Sequence, residues 1–226
     1  MAVDTYLKLR AAIADTVNRD DLSADVTAYE GTTIDSQIKR AVETATNTIT
    51  RDLVSRGGHK NMETVTTSLT FTASQEYIDF PTDFRGHRSF IITSNPVVVL
   101  EFVDPTTLRT QYPNSTTGKP EKFTVIGTRR AYARPIADSA YTTELIYYAS
   151  LSALSADSDT NWLLTSHPDI YIGAAMIELC IVLENDERLQ FWKGYYDQKM
   201  NDLMGDDRNV RWAGVPTKPN LQVSIA

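Results

Sequence analysis

Glu144-Leu-Ile-Tyr-Tyr148, Asn161-Trp-Leu-Leu164, His167-Pro-Asp-Ile-Tyr171 and Trp192 with Tyr195-Tyr196 form the stretch on which the fold turns. Apolar and aromatic residues alternate in the first of these and read as a strand. The second sits in a polar loop. His-Pro-Asp then reads as a helix start, with Pro168 at the first helical position and Asp169 favourable to the helix dipole. From Pro168 to about Leu183 the chain is apolar nearly all round, which marks a central buried helix. A last helix follows, capped by Asn185, with Leu189, Trp192, Tyr196, Met200 and Leu203 on one face and Gly205 as its expected end.

Two more helices are expected upstream. Tyr6, Leu9, Ile13 and Val17 recur at helical steps between about Thr5 and Val17. A longer stripe of Ile34, Ile38, Val42, Ala45, Ile49 and Leu53 runs to about Arg56, where Gly57-Gly58 supplies a stop. These two can pair as an antiparallel hairpin. After Lys60 the period changes to that of strands: Val65, Leu69 and Phe71; Tyr77 and Phe80; Phe90-Ile-Ile92; Val97 to Leu100. Asp104-Pro105 predicts a short helix to about Tyr112. Lys122 to Ile126, Arg130 to Arg134 and Thr142 to Ala149 are expected to complete an antiparallel meander.

The expected fold class is therefore α+β. Residues 1–59 form an N-terminal helical hairpin, 60–150 an inserted antiparallel β domain with one short helix, and 151–205 the remaining helices of a bundle. Residues 206–226 are expected to form an extended arm, in which Trp212 stands outside any periodic element. In that arm Leu221, Val223 and Ile225 alternate with polar residues, a pattern suited to adding a strand to the sheet edge of another chain.

Composition narrows the function. The chain has 226 residues, 42% hydrophobic and 23% charged, which is globular rather than disordered. Its 22 Lys and Arg against 29 Asp and Glu give a net charge of −7. That balance argues against wrapping nucleic acid, because phosphate neutralisation needs a dense basic surface. The one cysteine, Cys180, lies in an apolar helical run and reads as a buried, inert thiol. Met1-Ala-Val-Asp4 leads straight into an amphipathic pattern, so a soluble protein of a reducing cytoplasm, without a membrane partner, is expected.

Three signals invite a chemical reading. Asp157-x-Asp159-x-Asn161 copies the opening of a calcium loop, but Trp162 stands where the turn glycine belongs and Pro168 where the bidentate glutamate belongs. A polar turn fits better. His167 beside Asp169 suggests an acid–base pair, yet the helix start explains both, and only His59 and His87 accompany it. No nucleophile, zinc or phosphate-loop motif occurs. Tyr147-Tyr148, Trp162, Tyr171, Trp192 and Tyr195-Tyr196, with Arg129-Arg130, could stack nucleic-acid bases. At strand and helix spacing they read first as core or subunit interface. Asn114-Ser-Thr116 is a turn. No catalytic residue, metal ligand or cofactor is expected.

Gly118-Lys-Pro-Glu-Lys-Phe-Thr124, Ile126-Gly127, Tyr141, Glu144 to Tyr148, Leu151, Leu154-Ser155, Asn161 to Leu164, Pro168 to Tyr171, and Asn185-Asp-Glu-Arg188 with Trp192 and Tyr196 carry a resemblance. In these residues the chain resembles the head–tail adaptor (connector) proteins of tailed bacteriophages, particularly short-tailed ones. It departs from that pattern at Ile181-Val-Leu183, where small residues are common. The resemblance implies a non-enzymatic virion protein at the head–tail interface, assembled in the host cytoplasm. It further implies a ring, usually of twelve subunits, beneath the portal protein, extending the DNA channel and carrying tail or nozzle proteins. It assigns contact with portal or a neighbouring subunit to the arm, hence to Trp212, Leu221, Val223 and Ile225. Trp162, Pro168, Tyr171, Trp192 and Tyr196 become structural junction residues. A different reading is a ligand- or carbohydrate-binding tail module using the β insertion.

Overall fold

The structure, a computed structural model, describes residues 3–17, 34–114, 116–184 and 186–212. Among these residues, six α-helices and mainly antiparallel sheets make it an α+β protein, with two hydrophobic cores that meet along one strand.

The helical core is built from α1 (Tyr6–Val17), α2 (Ile34–Ser55), α5 (Pro168–Val182) and α6 (Asp186–Trp212). Helix α5 touches all three others and is buried on most sides, because hardly a polar side chain interrupts it. Of the expected stripe of α2, Ile38, Val42, Ala45, Ile49 and Leu53 are buried, and the side chain of Ile34 lies outside the described residues. So are Tyr6, Leu9, Ile13 and Val17 of α1. At Gly173 α5 and α6 approach so closely that a Cβ would lie 3.2 Å from the Tyr195 ring.

Helix α2 ends as its glycines require. Gly57 and Gly58 both take positive φ, at 102° and 75°. The Gly58 N–H donates to Leu53 O at 2.9 Å and the Gly57 N–H to Val54 O at 3.1 Å, which satisfies two terminal carbonyls. Gly58 has a second task. The ring of Tyr148 lies so close that a Cβ on Gly58 would be 2.6 Å from it.

The second core is aromatic. Phe71, Phe80, Phe84, Phe90 and Phe123 are buried together, with Phe80 and Phe90 edge-to-face at 5.2 Å and Phe90 and Phe123 likewise at 5.2 Å. It lies between two sheets. One has the order β1 (Glu63–Thr66), β11 (Tyr141–Ala149), β4 (Phe84–Ile92), β5 (Val98–Val99), with β2 (Thr70–Phe71) also on β11. The other runs β3 (Tyr77–Asp79), β9 (Arg130–Arg134), β8 (Lys122–Ile126), β6 (Glu101–Phe102). A small parallel pair joins β7 (Thr117–Gly118) to β10 (Ile136–Ala137). Helix α3 (Pro105–Gln111) starts at Asp104, whose carboxylate accepts the Thr106 N–H at 2.8 Å.

Three expectations need correction. The last strands do not form one meander: β9 pairs with β3 and β8, while β11 crosses to the other sheet and pairs with β4 and β1. Alternation identifies a strand but not its neighbour. The pairing of β6 with β8 is parallel, which the meander did not foresee. Gly205 does not end the last helix, which continues to Trp212. A single helical glycine costs only about 1 kcal/mol, and Asp207 beyond it is buried with its own partners. The first seven residues assigned to the arm are therefore helical.

Gly58→Ala is expected to destabilise the protein by about 3 kcal/mol or more, since it adds overlap with Tyr148 to the strain of positive φ. Gly57→Ala, with nothing within 4 Å of the new methyl, should cost about 1–2 kcal/mol. Urea unfolding of both variants checks the difference; equal losses would mean that Tyr148 does not press on Gly58.

Candidate functional site: the strand-to-helix junction

Strand β11 alternates cleanly. Thr143, Leu145, Tyr147 and Ala149 are buried in the sheet core, whereas Tyr148 points the other way and packs on the helical core. The Tyr147 hydroxyl donates to Asp83 at 3.1 Å. Burial first, and then that carboxylate, push the phenol up to about 12. Tyr147-Tyr148 thus serve one core each.

The loop after β11 is tied down by the very residues that imitate a calcium site. The Asp159 carboxylate accepts the Ser155 and Ala156 N–H groups, both at 2.8 Å, and those backbone donors hold its pKa below the usual value. Asp157 pairs with Arg10 of α1. Asn161 does the most. Its Oδ1 accepts the Leu164 N–H at 2.9 Å, and its Nδ2 donates to Ser152 O at 3.1 Å and to the Tyr171 hydroxyl at 2.8 Å. All three side chains are engaged in architecture, and among the described residues no group of three or more His, Cys, Asp or Glu could hold a metal ion.

Asn161 also caps a short helix within the expected polar loop, α4 (Trp162–Ser166). Asn followed by an apolar triplet was the available signal. His167 closes α4 and opens α5, and Pro168 is the first residue of α5, as expected. Asp169 is paired with Lys199 of α6 at 3.2 Å. Tyr171 is fully buried, and burial raises its phenol pKa.

Trp162 stacks on His59 at 4.8 Å, nearly parallel. That contact brings in a group that sequence reasoning missed. His59 Nδ1 accepts the Asn61 N–H at 3.1 Å, so Nε2 carries the proton toward Asp207, 3.7 Å away. The Asp207 carboxylate also accepts the Lys60 N–H at 3.1 Å. A buried His–Asp pair therefore fastens the C-terminal half of α6 to the start of the β region. Tyr196, buried as expected, donates to Asp52 of α2 at 2.8 Å, and burial with that carboxylate raises its pKa strongly. Arg56 reaches Asn201 and Asp197 across the same seam. Trp192 is half-buried and meets Tyr195 edge-on at 5.5 Å.

Pro168 opens α5, Tyr171 is bound to Asn161 and Trp162 to His59, while Tyr196 ties α6 to α2 and Trp192 packs beside Tyr195 on α6. Arg129 and Arg130 do not join these aromatics. Arg129 donates to Phe80 O and Arg130 lies over Tyr77, both in the β region. Cys180 is buried, which raises its thiol pKa. Leu221, Val223 and Ile225, with the side chain of Trp212, lie outside the described residues.

The model of the SU10 adaptor protein family matches residues 4–219, nearly the whole chain. The chain belongs to the SU10 adaptor protein family. It is a structural bacteriophage protein, a virion component that interacts with other virion proteins. A search of curated proteins gave no match. Among the described residues of this adaptor, no helix is long and apolar enough to cross a membrane.

Asn161→Ala should lower stability by about 2–4 kcal/mol, from a lost cap and stranded partners. Tyr171→Phe, which removes one of two acceptors of Asn161 Nδ2, should cost about 1–2 kcal/mol. Chemical denaturation measures both. A neutral Asn161→Ala would show that other contacts hold the junction.

Proposed function

We propose that this adaptor assembles as a ring, of twelve copies, directly beneath the portal at the capsid vertex. There it extends the DNA channel and carries the tail or nozzle proteins. The observation that carries the reading is the family match over residues 4–219. The net charge of −7 suits the role, since a lumen that repels phosphate lets DNA slide rather than bind. The locked helical core gives such a ring a stiff wall. The β region offers the next component an apolar surface: Val97, Val99 and Phe102 are 59%, 69% and 50% exposed, on or beside the edge strands β5 and β6.

The residues after Trp212 make the contact with portal, through Leu221, Val223 and Ile225. The place of truncation matters, because cutting after Gly205 would also remove the buried Asp207. Deleting the residues after Trp212 should leave the melting temperature unchanged and weaken binding to isolated portal rings by about tenfold or more. Binding as tight as that of the full chain would remove the arm from the interface.

A further inference from the structure

The outer line of α6 is unusual for a surface helix. At steps of four and three it carries Glu187, Phe191, Gly194, Gln198 and Asp202, all exposed, and Gly205 continues the same line. Phe191 is 65% exposed, and its ring meets those of Trp192 and Tyr195. Nothing lies within 4 Å of where a Cβ would sit on Gly194 or Gly205. A helical glycine costs about 1 kcal/mol relative to alanine, and among the described residues no contact requires either one. A bare helix backbone beside an exposed aromatic, with two acids and no base on the line, is suited to a close-fitting basic partner.

The same chain contains a cleft that is basic at one end. About 670 Å³ in volume, it runs along the flank of α2, walled by Asp83, Arg85 and the 150–155 segment, and its charges balance, Lys39 and Arg85 against Glu43 and Asp83. A second hollow of about 420 Å³ continues it, sharing Asn47, Thr50 and Arg85 and ending at Arg51, Val54 and Ser55. Its charged residues are Arg51 and Arg85, with no acid. The lengths agree as well. Lys39 to Ser55 spans about 24 Å of helix, and Glu187 to Asp202 about 22 Å.

We infer that the outer line of α6 in one copy seats in the α2 cleft of the next, with Phe191 as the apolar anchor and Glu187 or Asp202 meeting Arg51 and Arg85. The two surfaces differ, so the contact is head-to-tail, and repetition closes a ring when the rotation between copies allows it. The assignment rests on the ring reading proposed above and names the surfaces that build it. Charge at the rim sets the register, while the buried aromatic and the bare glycines supply close packing.

The experiment is a charge exchange read by native mass measurement of the full-length chain, alone and on isolated portal rings. R51E/R85E makes the cleft acidic; E187K/D202K makes the α6 line basic. Each variant alone should need about tenfold or more protein for half-assembly. An equimolar mixture should assemble with the two variants in equal numbers, because each now fits only the other. The chain carrying all four substitutions should assemble by itself. Rescue in the mixture also shows that neither variant is misfolded. Wild-type-like assembly of either two-site variant, or failure of both the mixture and the four-site chain, overturns the assignment of faces and leaves the ring reading standing. A wild-type chain that stays monomeric even on portal rings overturns the ring reading itself.

Discussion

Both faces of β11 are load-carrying, and the rest of the fold is arranged around that constraint. One face sends Leu145, Tyr147 and Ala149 into an aromatic core between two sheets, and the other sends Tyr148 onto the helices. Neither core can then shift without moving the strand they share. Gly58 is the matching half of this arrangement, because only a residue without a side chain admits the Tyr148 ring at the end of α2. The chain leaving β11 is fixed by Asp159 and Asn161 before it enters α5, so the buried central helix starts from a defined place.

Several polar groups that resemble chemical sites are engaged within the fold. Asp157, Asp159 and Asn161 sit at metal-ligand spacing, yet each is already engaged by backbone, arginine or tyrosine. His59 and Asp207 form a buried pair, and Trp162 and the backbone N–H groups of Lys60 and Asn61 contact it. Such buried polar contacts supply direction that apolar packing lacks, since they are satisfied in only one geometry. In a structural virion protein, such contacts stiffen the fold.

Much of this was legible in the sequence because period and capping are local. The stripes of α1 and α2, the glycine stop after α2, Asp104 as a cap and the bounds of β8 and β9 all follow from residues a few positions apart. What was not legible is non-local. Nothing near Thr142 says that β11 pairs with β4, fifty residues earlier, rather than with β9. Gly205 looked like a helix stop because the partners that keep α6 helical beyond it, His59 and the Lys60 backbone, are distant in sequence. The short helix α4 escaped notice since five residues are too few for a period to show. The surfaces of α2 and α6 were equally hidden, because a cleft exists only once the 150–155 segment lies beside α2.

A reconstruction of the head–tail vertex of the virion, at side-chain resolution, tests the account most directly. The expected result is a closed ring of this chain against the portal, with Tyr148 still seated on Gly58 in every copy and the β region facing the tail. A vertex without the chain, or copies in which the helical and β cores have separated along β11, would contradict it.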